Sequence, residues 1–447
     1  MSELMKKMLI ISMVFYVCTA NAQERSEQLA RQFITYLSDG RISDATAMFS
    51  PQVLEKINET RLTGIWSQIK QQFGEYREIA KVEVTEAGAY QQTISLCQFD
   101  NSYLNIRLTL DDQEKVVGIF FAPAAAPTAT DYELPRYADP SSYEEVVTML
   151  STTAGDLKAV YTKPRELDNP PVIVLVHGSG PHDEDATLGP NKIFKDMATG
   201  LASNGIATFR YVKRSKAFPN SFGDQMTVDE EVVDDAVNAI VEVKKLSAGP
   251  VFLLGHSLGG MMAPKIASKS DGVAGIIFLA GANRPLAEMM IEQVEYILQH
   301  DEAANQASYE ELRKVALRVK SGDYDDNTPK SELLNIPAAY WKDLAEYDPL
   351  KTVKKLKQPM LILQGERDYQ VTVEDLERWK SAIRKKGTYR SYPRLNHLFF
   401  AGEGQALPSE YQKKGFFDKS VLDDIVSWVN ENLGRLIWIN NPMGIVN

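Results

Sequence analysis

Cysteine is nearly missing from this chain of 447 residues, which holds only Cys18 and Cys97. Neither a Cys-x-x-Cys pair nor a His-Glu-x-x-His run occurs, so the usual spacings of a metal site are lacking and no metal or cofactor is expected. Positive charge is also in deficit. Lys and Arg number 49 against 60 Asp and Glu, a formal net charge of −11. Duplex nucleic acid and anionic membrane surfaces repel such a chain, and neither is expected as a partner. Long apolar runs are absent apart from Met8 to Val17. Lys6-Lys7 precede that run and Cys18-Thr-Ala-Asn-Ala22 follow it. A basic start, a short apolar stretch and an Ala-x-Ala ending read as a secretory signal over residues 1–22, cleaved after Ala22. The run is too short to span a bilayer, so no membrane insertion is expected after cleavage. Phe15-Tyr16-Val17 are too bulky for the lipoprotein alternative at Cys18. Removing residues 1–22 takes Glu3, Lys6 and Lys7, a net of +1, and leaves the remainder at −12 with Cys97 alone. An exported protein, periplasmic or secreted, with one cysteine has no internal disulfide and depends on its core.

What is present points to two domains. Residues 24–73 carry helical spacing, with Leu29, Phe33, Ile34 and Leu37 three or four apart and Asp44, Ser50 and Pro51 as punctuation. The period then shortens: Lys81–Thr85, Tyr90–Cys97, Tyr103–Leu110 and Lys115–Phe121 read as four strands. Residues 23–121 are therefore expected to form a small α+β domain, followed by a Pro/Ala/Thr linker over 122–141. From 142 to 435 the chain alternates continuous apolar runs with amphipathic helices. The runs are Val172–Val176, Ala207–Arg210, Val251–Leu254, Gly275–Leu279, Met360–Leu363 and Tyr389–Tyr392, with an opening hairpin at Glu145–Leu150 and Leu157–Thr162. This pattern predicts an α/β fold, a doubly wound and mostly parallel sheet with helices on both faces. Residues 283–345 interrupt it with helical, charged segments such as Leu286–Gln299 and Tyr309–Val319, an insertion of the size of a lid. The apolar Leu436–Ile439 begins a tail, 436–447, that follows the last helix without an assigned role.

The chemistry centres on Gly255-His256-Ser257-Leu258-Gly259, which follows one buried strand and opens a helix. A serine on such a turn is presented above the sheet as a nucleophile, glycines two before and two after avoid clashes, and the helix N-terminus faces any oxyanion formed there. The same pattern alone also fits a tight turn with a capping serine. A nucleophilic serine needs a base, and the chain has five histidines: His177, His182, His256, His300 and His397. On this strand–turn–helix arrangement acid and then base follow the serine in the chain, which leaves His300, in the charged insertion, and His397, in the loop after the last strand. His397 is the expected base. The acid is expected after Met360–Gly365, where Asp368 is favoured over Glu366. The two oxyanion donors are expected to be the backbone N–H groups of Leu258 and Ser179, with Gly178 in reserve, because His177-Gly-Ser-Gly180 follows an early strand.

These residues carry a resemblance. Residues 142–434 resemble the alpha/beta-hydrolase superfamily, and "HGSGPHDEDATLGPNKIFKDMATGLASNGIATFRYVKR" with "GHSLGG", "LQGERDYQV" and "LNHLFF" is similar to exported bacterial esterases, some relatives being labelled serine aminopeptidases. Residues 24–121 resemble the small cystatin-like or nuclear-transport-factor-like domain of uncertain role that often precedes such hydrolases. The stretch Arg210-Tyr-Val-Lys-Arg214 departs from relatives that often place an Asp before Lys-Arg, which puts a salt bridge at Val212 in doubt. The expectation is a Ser-His-Asp carboxylesterase acting on short acyl or aryl esters as small-molecule substrates. Met289, Met290, Tyr296, Tyr309, Tyr340 and Trp341 either line its acyl pocket or fix the lid to the body. A peptidase that holds a free amino group with Asp183, Glu184 or Asp185 is the alternative within enzymes. A binding protein with a vestigial hydrolase domain is the alternative outside them. Oligomeric state is left open.

Overall fold

The computed structural model describes residues 25–87, 90–124, 132–218, 223, 225–301 and 306–440. The expected leader and residues 441–447 of the tail lie outside the described residues. The chain divides into two units, Met1–Thr130 and Asp131–Asn447.

In the first unit, helices α1 (25–38), α2 (Ile42–Ala47), α3 (Pro51–Lys56) and α4 (Glu59–Phe73) precede an antiparallel meander. Its strands are β1 (Tyr76–Ala87), β2 (Tyr90–Phe99), β3 (Tyr103–Leu110) and β4 (Val116–Ala124), in that order. The helix starts are chemically marked: Ser50 Oγ accepts from the Val53 N–H ahead of Pro51, and Asn58 caps α4. Alternation along β3 buries Leu104, Ile106, Leu108 and Leu110 in one core with Phe33 and Ile34 of α1 and Leu62 and Trp66 of α4. Cys97 is buried in the same core, which pushes its thiol up to about 12. Ala122-Pro-Ala124, which composition assigns to the linker, is instead the end of β4 and pairs with Tyr103–Asn105. β4 is an edge strand, and a proline is tolerated there because it need not donate to a neighbour.

The second unit is an eight-stranded sheet in the order β14-β13-β12-β11-β7-β10-β6-β5. Its strands are β5 (Tyr143–Thr152), β6 (Gly155–Pro164), β7 (Val172–Val176), β10 (Ala207–Tyr211), β11 (Val251–His256), β12 (Val273–Leu279), β13 (Met360–Gly365) and β14 (Gly387–Tyr392). A two-stranded ribbon, β8 (Thr187–Leu188) and β9 (Asn191–Lys192), lies between β7 and the helix that starts at Ile193 and has no sequence signal of its own. Only β6 runs against the rest, through the hairpin with β5 and its antiparallel pairing to β10. Strands β7 and β11 are buried at every position, as continuous apolar runs require when helices cover both faces. Helices α5 (Ile193–Ser203) and α14 (Lys419–Asn440) pack together on the sheet. Helices α7 (Asp234–Leu246), α8 (Leu258–Lys269), α12 (Pro349–Val353) and α13 (Val373–Ile383) form a second packed series. The short α6 (Arg214–Ala217) follows β10.

The insertion between β12 and β13 consists, among its described residues, of α9 (Leu286–His300), α10 (Gln306–Ser321), a 3₁₀ turn at Lys330–Glu332 and α11 (Ala338–Glu346). Two details differ from the sequence expectation. The predicted helix at Val228 begins with a π-helical turn, Asp229–Val233, before α7. Leu436–Ile439 do not follow the last helix but continue it to Asn440, since nothing in that apolar stretch interrupts the backbone ladder.

Candidate active site

Ser257 occupies the turn between β11 and α8 with φ 54° and ψ −116°, a conformation that costs an L-residue about 1–3 kcal/mol. The glycines around it are steric necessities. A Cβ at Gly255 would stand 2.2 Å from the Gly259 carbonyl oxygen, and one at Gly259 would stand 2.4 Å from that of Val176. Ser257 makes no side-chain cap hydrogen bond to α8, so the turn-and-cap alternative finds no support in the geometry. Its backbone N–H is instead fixed by the Leu279 carbonyl at the end of β12, 3.0 Å away.

Gly365 brings the ends of two further segments together, because its bare Cα packs where a Cβ would meet the Leu395 carbonyl oxygen at 2.4 Å. Across that contact His397 Nδ1 donates to Asp368 Oδ2 at 2.7 Å, with both residues buried. Asp368 Oδ1 accepts the N–H groups of Gln370 and Val371, at 2.8 and 3.0 Å, and Gln364 Nε2 donates to Oδ2 at 3.2 Å. Every lone-pair direction of this carboxylate is thus directed. Glu366, the competing acid, is exposed and accepts from Ser391 Oγ instead.

His256 is engaged with the segment that carries the expected base. Its Nε2 donates to the His397 carbonyl oxygen at 3.0 Å and the two rings lie 4.7 Å apart. Burial, and then the neighbouring His397, hold His256 well below its ordinary pKa, so it stays a neutral donor. His300 sits in the last turn of α9 against Tyr296.

The loop after β7 is tied by a residue that sequence reasoning did not single out. Lys213, just past β10, is buried and donates from Nζ to the carbonyls of Gly178 (2.9 Å) and Gly180 (3.0 Å). In a planar trans peptide the carbonyl and the next N–H point in opposite directions. Holding the Gly178 carbonyl therefore turns the Ser179 N–H away from Lys213. Neither the Ser179 nor the Leu258 N–H meets an acceptor among the described residues. Gly178 leaves little room here, since a Cβ on it would lie 3.1 Å from the Ser257 Cβ. A lysine two residues after a buried strand was the available signal for Lys213.

Ser257, His397, His256, Gly178, Ser179 and Leu258 all line a cavity of about 330 Å³, together with Met289 and Met290 of the lid. A second lobe of about 420 Å³ shares Ser179, Leu258, Leu286 and Ile336 with the first and includes Tyr340. Tyr296 stacks on Tyr369 at 5.0 Å, Tyr309 packs on the core, and Trp341 Nε1 donates to the Leu333 carbonyl. Two of the six lid residues thus line the lobe that holds the serine, one lines the other lobe, and three serve packing.

The acidic run after the loop is committed elsewhere. Asp185, buried, pairs with Arg210 and Lys192 at 3.0 Å each, Glu184 pairs with Lys158, and Asp183 Oδ1 accepts two backbone N–H groups. None of the three lines either lobe. Val212 uses its N–H on the Lys158 carbonyl, while the ion pairs fall to its neighbours Arg210 and Arg214, the latter with Asp235. Among the described residues no group of three or more His, Cys, Asp or Glu is placed to hold a metal ion, and no helix is long and apolar enough to cross a membrane.

Residues 169–404 match the family described as serine aminopeptidase, S33, and residues 30–119 match a protein family of unknown function, DUF3887. Esterase EstD of Thermotoga maritima is 39% identical over 411 residues, which cover 90% of this chain and 95% of that protein. Two solved structures are more distant. Est1E from Butyrivibrio proteoclasticus covers 64% of this chain and 99% of its own at 16% identity, with a TM-score of 0.42. An esterase of Pyrococcus furiosus covers 70% and 97% at 13% identity, with a TM-score of 0.43.

Proposed function

The chain belongs to the serine aminopeptidase (S33) family of the alpha/beta-hydrolase superfamily, and on that premise we propose that it is an exported carboxylesterase cleaving short acyl or aryl esters. Ser257 Oγ attacks the ester carbonyl while His397 Nε2 takes its proton. The tetrahedral oxyanion accepts hydrogen bonds from the N–H groups of Leu258 and Ser179, and Gly178 is the reserve donor. Collapse expels the alcohol, which leaves with the proton held by His397. Water then repeats the sequence on the acyl enzyme and releases the acid. Asp368 keeps the imidazole in the tautomer with Nδ1–H and stabilises its charged form.

The observation that carries this reading is the 2.7 Å bond from His397 Nδ1 to Asp368 Oδ2, in a cavity that also holds a strained Ser257 without a capping bond. Two further points favour esters over amides. The carboxylates of this acidic run are already engaged, Asp185 with Arg210 and Lys192, Glu184 with Lys158 and Asp183 with backbone N–H groups, and leave none of the three for a peptide's amino group. The curated relative with 39% identity is itself named an esterase. Export rests on the composition of residues 1–22.

Purified protein lacking residues 1–22 should hydrolyse p-nitrophenyl esters, short chains best, and aminoacyl p-nitroanilides far more slowly. Ser257→Ala should abolish both. Faster anilide turnover would establish the peptidase reading, and activity that survives Ser257→Ala would remove the site assignment.

A further inference from the structure

The second lobe has a chemical character that the proposed esterase reaction does not use. Its walls are apolar, with Pro181, Leu258, Leu286, Leu334 and Ile336. Against them stands one buried carboxylate, Glu231, 4% exposed and carried on the π-helical turn Asp229–Val233. Turns of this kind interrupt the helical ladder and recur at functional sites. The lid side is strained as well: Leu334 (φ 61°) and Asn335 (φ 58°), consecutive and both lining the lobe, lie in the left-handed region.

Tyr340 and Lys213 meet the same oxygen of Glu231. Tyr340 donates to Oε2 at 2.7 Å, and Lys213 Nζ lies 3.2 Å from it. Ser215 stands beside the carboxylate, yet its hydroxyl is buried and makes no hydrogen bond of normal geometry. Burial alone would raise the Glu231 carboxyl, but Lys213, Ser215 and Tyr340 hold it below its ordinary value. It is thus a fixed acceptor. Lys213 also holds the Gly178 carbonyl, which places Glu231 Oε2 within about 6 Å of that carbonyl oxygen and close to the oxyanion loop.

Charge and shape narrow what such a lobe takes. Lys213 already neutralises Glu231, so the pair offers a ligand cation no uncompensated charge. For the same reason a ligand anion finds no uncompensated cation in Lys213. The wall formed by Pro181, Leu258, Leu286, Leu334 and Ile336 offers no partner to a sugar's hydroxyls, and each one left unpaired there costs roughly 1–3 kcal/mol. A flat apolar body with a single neutral donor satisfies all these constraints.

We propose, building on the esterase reading above, that this lobe binds a hydroxyaryl group of the ester, with its phenolic O–H donating to Glu231 beside Ser215. The ring lies between the leucine walls, and the ester carbonyl reaches Ser257 where the two lobes meet at Ser179 and Leu258.

The test measures binding to full-length Ser257→Ala protein by calorimetry, so it does not depend on turnover. The ligands are methyl 4-hydroxybenzoate, methyl benzoate and methyl 4-(aminomethyl)benzoate. The hydroxyl compound should bind about tenfold tighter than the benzoate or better, and Ser215→Ala and Glu231→Gln in the same background should each erase most of that difference. Ser215, half-exposed on a short helix, gives a variant that tests the site even if Glu231→Gln does not fold. Equal affinities, tighter binding of the ammonium compound, or no binding of any of the three would overturn the proposal. Failure of the esterase reading is seen separately, as loss of p-nitrophenyl ester turnover in the protein that retains Ser257.

Discussion

The Nε2 of His256 lies 3.0 Å from the carbonyl oxygen of His397, so the residue next to the serine in sequence holds the backbone of the proposed base. Replacing it removes one buried hydrogen bond and the ring contact at 4.7 Å. His256→Ala should lower kcat on p-nitrophenyl acetate about tenfold because the base is misplaced, with a smaller change in KM from the loss of a ring that lines the cavity. An unchanged kcat would mean that His397 keeps its place without this support.

The acid is distinguished by a pair of neutralising substitutions. Asp368→Asn should reduce kcat by about 10³-fold or more, since an amide stabilises neither the tautomer nor the imidazolium. Glu366→Gln, at an exposed carboxylate bonded to Ser391, should leave kcat within about twofold. The reverse pattern in steady-state rates would assign the role to Glu366.

Lys213 joins two functions, and a double substitution separates them. Lys213→Met frees the Gly178 and Gly180 carbonyls and strands the Glu231 carboxylate, which should cost about 3–5 kcal/mol of stability and most of kcat. Adding Glu231→Gln removes the unpaired charge. The double variant should recover much of the stability in denaturant titrations while kcat remains low, because the oxyanion loop is still untied.

Asp196 gives a pH dependence of stability. Burial raises its carboxyl to about 6, although Tyr132 and the Phe417 N–H both bond it. The folded state therefore holds this proton to higher pH than the unfolded chain, whose carboxyl titrates near 3.8. The associated stability is complete below about pH 4 and is lost as pH rises through 6, roughly 3 kcal/mol in all. Asp196→Asn removes that loss. Its melting temperature relative to the parent should rise by several degrees between pH 5 and pH 8, and a flat difference would contradict the assignment. His256 and His177, both held well below their ordinary pKa by burial, act in the opposite sense and destabilise the parent and the variant alike as pH falls through about 6.5.

What could be read from the sequence was what depends on near neighbours. The run Val251–Leu254 before Gly255-His-Ser-Leu-Gly259 marks a buried strand, a turn that tolerates no Cβ at two positions, and a helix, all within a dozen residues. Asp368 and His397 were legible as candidates because each follows a strand of the same sheet. The ties that hold the site were not legible. Lys213 reaches back 35 residues to Gly178, and Tyr340 reaches 109 residues to Glu231. Such pairings follow from sheet order and lid placement, which no local period encodes. The same holds for Asp185, whose partner Arg210 is brought beside it by β10.

The lone thiol of the first unit has a practical consequence. Cys97 is fully buried and its proton is held up to about 12, so almost none of it is thiolate at neutral pH. In protein lacking residues 1–22 it is the only cysteine. A maleimide dye should therefore pass the native fold by, and a single cysteine introduced on the outer surface of α10 would report lid movement against a silent background, with no native residue needing replacement first.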